Sequence, residues 1–479
     1  MNRRMVLNLT GKMIMVEAVL LLLPLSVAII YQDKSIFPFI ITIAIALVIG
    51  SACTLISKPD NHTIYAKEGF VIVAIVWLAM SAIGALPFYI SGEIPSYIDC
   101  FFETVSGFTT TGASILTDIE SLSKGLLFWR SFTHWIGGMG VLVFLVAILP
   151  LSGGSNMYLM KAESPGPSVS KLVPRVRSTA KILYGIYAFL TVLQLIFLLA
   201  GKMPLFDAIT TTFGTAGTGG FGIKNNSIAG YSPYLQIVIT VFMIIFGVNI
   251  SVYYLILLKK FREAFRSTEF KAYIGIIVLS TILISTNALS HFDGIASALR
   301  HSAFKVASII TTTGFSTTDF NKWPEFSKTI IVILMFIGAS AGSTGGGIKV
   351  SRIIILLKTI KKEIKIAAHP KRVHKVALDG HPIEHETMRA ANVYLISYAA
   401  IFIVTLLAIS IDNFDFTTNF TAIATTINNV GPGLNAVGPA ENFSLFSPLS
   451  KLILSFNMLV GRLEIFPMLV LLAPNSWKK

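Results

Sequence analysis

Four short segments carry the residue types with the most chemical content. They are Asp99–Ser114 (DCFFETVSGFTTTGAS), Asp207–Gly222 (DAITTTFGTAGTGGFG), Phe304–Phe320 (FKVASIITTTGFSTTDF) and Phe420–Leu434 (FTAIATTINNVGPGL). In each, a helix-compatible stretch with Thr runs into a glycine: Gly112, Gly219, Gly314 and Gly431. Glycine lets the backbone turn its carbonyls to one side with no Cβ in the way. Threonine adds hydroxyl oxygens without a full charge. No acidic residue sits beside any of the four glycines. Neutral oxygens of this kind can replace the water around a monovalent cation, whereas a ring of carboxylates suits divalent ions better. A short helix ahead of each glycine aims the negative end of its dipole past the loop. Glycine in membrane helices commonly serves close packing instead, and one such segment alone would be read that way. Four with the same order of residues are hard to explain by packing.

The elements around these segments follow from composition. The chain has 479 residues, 54% hydrophobic and 13% charged, where soluble domains carry about 25% charged residues. Ten apolar stretches, at about 13–30, 36–57, 69–90, 127–150, 180–201, 233–258, 271–290, 327–358, 389–411 and 448–472, have the length a helix needs to cross a bilayer. The Thr/Gly segments, at about 97–114, 204–222, 297–316 and 416–434, are too short to span and return as helix. Each lies between two spans, so a span–loop–span unit recurs four times from residue 69 onward. Two spans return the chain to its starting side, which makes the units parallel. Non-helical backbone at membrane depth must face protein or a water-filled path, because lipid leaves its polar groups unsatisfied. The expected fold is an all-α polytopic membrane protein of ten transmembrane helices, with four parallel helix–pore loop–helix repeats around a pseudo-fourfold pore. The expected divisions are a two-helix extension (1–68) and repeats at 69–150, 151–258, 259–388 and 389–479.

The charges test this layout. A formal charge of +14 would raise nucleic acid as a partner of a soluble protein. Here its placement points to a bilayer, and no nucleic-acid partner is expected. With the N-terminus inside, 25 Lys and Arg fall in inner segments and ten in outer ones, the positive-inside pattern. Both termini are then cytoplasmic, and all four Thr/Gly segments lie on the outer side. The basic N-terminus with no small-residue cleavage site reads as a retained first helix rather than a signal peptide. Cys53 and Cys100 fall at opposite faces, so no disulfide is expected. Glu17 is read as solvated near the interface. His134, near an outer helix end, is read as interfacial. His134 and His62 lack a metal-spaced partner and there is no H-E-x-x-H, which argues against a membrane-embedded enzyme. A secondary transporter for another solute is the remaining alternative, but such folds often show inverted repeats.

The span 327–358 is interrupted by ten residues, Gly338 to Gly347, that include five glycines. Each glycine costs roughly 1 kcal/mol in a helix, so a loop is expected; a Gly-rich packing face is the alternative. Ile348 between Gly347 and Lys349 breaks the phosphate-loop spacing. Arg462 sits mid-way along the last span, where a lone cation tends to be functional or paired. Glu464, two residues on, points to another helix face and is a poor partner.

TTTGAS, SIITTTGFSTTDF, INNVGPGLNAVGP, GASAGSTGGGIKVSR (Gly338–Arg352) and GRLEIFP (Gly461–Pro467) together resemble the Trk/Ktr/HKT superfamily of potassium transporters, from about residue 69 to the C-terminus. The two extra N-terminal spans resemble its TrkH/TrkG branch. The resemblance implies a potassium uptake channel or transporter subunit, not an enzyme, that conducts K+ and Rb+ through one filter per subunit. It places K+-coordinating groups at Thr111-Gly112, Thr218-Gly219, Thr313-Gly314 and Val430-Gly431, with Thr110 and Asn429 beside them. Asn428 and Asn429 stand where the other loops have threonine, and Pro432 follows. The resemblance makes Gly338, Gly342, Ser343, Thr344, Gly345, Gly346, Gly347 and Lys349 an intramembrane gate. It makes Arg462 an electrostatic barrier under the filter; the bland alternative is a structural pairing, the gate's carbonyls included. It also implies a homodimer in a bacterial inner membrane. TrkA-type nucleotide-binding subunits would dock on the cytoplasmic face, where Lys358–Lys375 carries seven basic residues. The chain has no GxGxxG fold of its own, and no organic cofactor is expected. Coupling to protons or sodium is left open.

Overall fold

The computed structural model describes residues 1–57, 65–140, 176–370 and 375–477. The end of the predicted span 127–150, most of the basic stretch 151–181, and His62 lie outside the described residues.

The chain begins with α1 (Arg3–Leu20), started by the Asn2 side chain accepting from the Met5 N–H, and α2 (Leu22–Tyr31), followed by α3 (Ile36–Ile56), α4 (Ala66–Gly84) and α5 (Leu86–Ile90). Then come α6 (Tyr97–Phe108), α7 (Lys124–Gly138), α8 (Val176–Ala200), α9 (Leu205–Ala216), α10 (Pro233–Phe246), α11 (Ile250–Leu257) and α12 (Phe261–Arg266). The remainder is α13 (Thr268–Asn287), α14 (Ile295–Ile310), α15 (Glu325–Phe336), α16 (Val350–Ala368), α17 (His385–Ile409), α18 (Phe416–Ile427), α19 (Pro448–Arg462), α20 (Phe466–Leu472) and α21 (Pro474–Trp477). A two-residue hairpin pairs Ala377–Leu378 with His381–Pro382.

Among the described residues, six helical stretches are long and apolar enough to cross a membrane: Arg3–Tyr31, Ile36–Ile56, Ala66–Ile90, Ala180–Ala200, Thr268–Asn287 and His385–Asp412. Their outward faces expose Ile30, Phe37, Ile56 and Leu407. Apolar surface on this scale marks a lipid contact rather than a solvated face. Two stretches read as continuous spans are broken, and the break expected in a third is present. α10 and α11 meet at 89°, where Asn249 caps the new helix by accepting from the Ser251 N–H at 2.9 Å. The stretch 327–358 is divided by the Gly-rich loop into α15 and α16. The last stretch turns at Glu464 and Ile465, both with positive φ, just before Pro467, whose ring does not fit a helix interior.

The four Thr-containing segments form the short helices α6, α9, α14 and α18. They are largely buried, and the aromatic core is built around them. Phe102, Phe108 and Trp129 pack near α6. Phe304 and Phe315 pack near α9 and α14. Local signals start two of the helices: Ser96 Oγ accepts from the Asp99 N–H, and the Asp415 carboxylate accepts from the Thr418 N–H at 3.1 Å.

Cys53 and Cys100 are both free. The reading of Glu17 as solvated is overturned. Glu17 is fully buried on the inner face of α1, beside Gly84, and neither carboxylate oxygen has a hydrogen-bond partner among the described residues. Sequence alone could not show that α1 turns this face to α4 and not to lipid or headgroups.

Candidate functional site: a ring of four glycine loops

At the end of each short helix the backbone repeats one conformation. A residue takes a left-handed φ near +55°: Thr110, Thr218, Thr312 or Asn429. Two positions on, a glycine has φ between 75° and 99°: Gly112, Gly220, Gly314 or Gly431. Side chains other than glycine rarely occupy that region. The residue between them donates its N–H five residues back into the helix. Thr111 bonds Ser106 O at 2.9 Å, Gly219 bonds Gly214 O at 2.9 Å, Thr313 bonds Ser308 O at 2.8 Å and Val430 bonds Thr425 O at 2.8 Å. This closes each helix by the six-to-one bond of a Schellman-type end.

The loops contact one another in cyclic order. The open side of Gly112 faces Gly219 O of the second loop, and that of Gly220 faces Thr313 O of the third. Gly314 faces Val430 O of the fourth, and Gly431 faces Thr111 O of the first. The same four glycines line one outward cavity of about 90 Å³.

This geometry corrects the register of the second loop. The sequence assigned Gly219 as the partner of Gly112, Gly314 and Gly431. The partner is Gly220, and Gly219 occupies the place of Thr111, Thr313 and Val430. Two adjacent glycines made the sequence ambiguous; the bond to Gly214 O decides it.

Side chains tie the ring internally. Thr109 and Thr111 share a hydroxyl hydrogen bond of 2.8 Å, and Thr311 and Thr313 one of 2.7 Å. Asn429, standing where the other three loops have threonine, donates to Thr111 Oγ1 and to Met458 O, both at 2.9 Å. Thr218 turns its hydroxyl to Gly217 O.

Buried ions brace the ring from behind. Arg130 of α7 pairs with Glu103 of α6 at 2.5 Å and donates to Gly222 O of the second loop at 2.7 Å. Lys305 of α14 is fully buried and donates to Ser316 Oγ at 3.1 Å. His134 is not interfacial: its ring is fully buried between the first and second loops. The helix-end position suggested exposure, but α7 runs inside the bundle between α6 and α9.

The Gly-rich loop lies against the face of the ring where the short helices end. Gly345 approaches Thr311 O, and Gly346 approaches Asn428 O and Asn429. The Gly346 N–H donates to Thr312 Oγ1 at 2.7 Å, so Thr312, absent from the sequence-derived residues, joins the two. Within the loop, Gly338 N–H bonds Ile348 O at 2.8 Å, and Ser343 Oγ bonds Ser340 O at 2.6 Å. Gly342 O accepts from the Ile250 N–H at 3.1 Å, which docks the loop on the bend between α10 and α11. Gly347 has positive φ and turns the chain toward α16. Lys349 is buried and donates to Gly345 O and Gly346 O. Arg462 donates to Thr344 O at 2.7 Å, to Gly138 O at 2.8 Å and to Gly137 O. The guanidinium therefore links the loop to the end of α7. Glu464 pairs not with Arg462 but with Arg352 of α16 through both carboxylate oxygens; the turn at Glu464 frees it from helical spacing.

Sequence reasoning also missed Glu269, at the start of α13. One oxygen, Oε1, accepts from the Ala341 N–H at 2.7 Å and the Ser351 N–H at 3.1 Å, one on each arm of the loop. Its place in a stretch rich in charged residues gave no signal of this. A buried donor left unsatisfied costs about 1–3 kcal/mol. Glu269→Ala is therefore expected to lower the thermal stability of the purified protein, while Glu269→Gln, which keeps an acceptor, retains most of it. Unchanged melting in the alanine variant would refute the clasp.

A family model, TrkH, described as "Cation transport protein", matches residues 35–479. The chain is 38% identical to the Trk system potassium uptake protein TrkH of Salmonella typhimurium, over 100% of both sequences. It is 32% identical to the Trk system potassium uptake protein TrkG of Escherichia coli, over 99% of both. The crystal structure of the potassium transporter TrkH from Vibrio parahaemolyticus matches with a TM-score of 0.90 at 33% identity, covering 100% of both chains.

Proposed function

The chain belongs to the TrkH family of cation transport proteins, and from that premise we propose that it takes potassium into the cell through the ring of glycine loops. It is a multi-pass membrane transporter, not an enzyme. The observation that carries the reading is the cyclic contact of the four loops around one outward cavity. Thr111, Gly112, Thr218, Gly219, Gly220, Thr313, Gly314, Val430 and Gly431 supply the neutral oxygens that replace water around a bare ion, as backbone carbonyls do in potassium filters. Rubidium, close to potassium in size, passes the same way.

The Gly-rich loop with Lys349 and Arg462 blocks the path inside the filter and opens by moving away from it. Inflow follows the inside-negative potential, about 2.3 kcal/mol per charge per 100 mV. The protein works as a homodimer in a bacterial inner membrane with both termini inside. TrkA-type nucleotide-binding subunits act on the basic inner face that begins at Lys358.

Rubidium flux into proteoliposomes tests this. Flux is expected with the purified chain, slowed by potassium and little affected by equal sodium. No flux, or flux equally blocked by sodium and potassium, would overturn it.

A further inference from the structure

We infer that the imidazole of His134 is a selectivity-positioning residue, serving the second loop in place of the side chain that Gly219 lacks. The inference rests on the filter reading above and names how one quarter of that filter is held.

Three loops carry a side chain at the middle position: Thr111, Thr313 and Val430. The second loop carries Gly219. Its φ is not in the left-handed region, so its conformation does not call for glycine. Space does: a Cβ on Gly219 would overlap Nδ1, Cγ and Cε1 of His134. The ring stands where the missing side chain would be.

The ring also holds two loops at once. His134 Nδ1 is 2.8 Å from Gly107 O, at the end of the first short helix. The Phe221 N–H, just past Gly220, meets Nε2 at 3.2 Å. A carbonyl only accepts and an amide only donates, so both contacts are satisfied by the neutral ring with its hydrogen on Nδ1. Arg130, one turn earlier on the same face of α7, donates to Gly222 O and lies 3.6 Å from the Phe221 ring. Phe221 is thus packed between Arg130 and His134, whose ring centre is 4.2 Å from its own. α7 fixes the second loop from behind, and His134 is its contact at filter depth.

The test is a substitution cycle in full-length protein in proteoliposomes, reading rubidium over sodium flux at matched protein levels. His134→Ala is expected to lower that ratio about tenfold, equivalent to ~1.4 kcal/mol, as is Gly219→Thr. His134→Asn, whose amide can still donate to Gly107 O, should retain most of it. The double variant His134→Ala/Gly219→Thr should discriminate better than either single variant, because the side chain returns to the strand as the ring leaves. Gly314→Ser serves as a control on another loop. A normal ratio in His134→Ala with a lowered one in Gly314→Ser would sink this inference alone. A normal ratio in both would sink the filter reading with it. A double variant no better than the worse single one would reduce His134 to core packing.

Discussion

Gly314→Ser is expected to abolish preferential potassium flux while leaving a folded protein in the membrane. Gly314 has φ +89°, and a non-glycine residue held in such a region costs of order 1–3 kcal/mol. A Cβ there would also lie 2.5 Å from Val430 O and 3.1 Å from the Pro432 ring. The third loop must shift, and with it the oxygen of the fourth loop that it touches. Discrimination changes tenfold for each ~1.4 kcal/mol, so a drop of about tenfold or more in rubidium over sodium flux follows. Growth of a potassium-uptake-deficient strain at low potassium should fail with the variant and succeed with the parent. Unaltered flux and selectivity, with normal membrane levels, would remove Gly314 from the filter.

Arg462→Ala is expected to act in the opposite direction, raising flux. The guanidinium holds Thr344 O of the Gly-rich loop and two carbonyls of α7, and hydrogen bonds to charged groups contribute about 1.5–3 kcal/mol each. In the pore role proposed for it, the guanidinium also repels a passing cation. Two unit charges 4 Å apart interact by about 4 kcal/mol at an effective dielectric constant of 20. Losing both tether and charge should increase rubidium flux about tenfold, with selectivity preserved because the ring is untouched. Arg462→Lys separates the two effects: it keeps the charge but not the fork that reaches three carbonyls. Flux in the lysine variant close to that of the parent would assign the barrier to charge; flux close to that of the alanine variant would assign it to the tether. No rise in either would leave Arg462 a purely structural residue.

The sequence was most legible where chemistry repeats. The four Thr/Gly segments each form a buried helix followed by a turn, as their shared pattern implied. The helix break after Phe336 was visible in the glycine count. What escaped was set by contacts between distant segments. The choice between Gly219 and Gly220 is decided by the bond from the Gly219 N–H to Gly214 O, and the room beside Gly219 is taken by His134, 85 residues away in the chain. The pairing of Glu464 with Arg352 depends on two positive φ values that no helical spacing encodes. Glu17 looked like a border residue because hydropathy reports how apolar a span is, not which side of it faces inward. Arg130 and Lys305 counted as outer-face charges, yet both are buried behind the loops.

The hydrogen bond from Gly346 to Thr312 has a mechanical consequence. Thr312 is the strained residue next to Thr313 in the third loop, so in the gate and filter proposed above the plug and the sieve share a hinge pin. Withdrawing the plug must release or drag that pin, and an ion that stiffens the sieve must in turn resist the withdrawal. Such influence runs equally in both directions, so the species of ion seated in the ring should alter how readily the path opens.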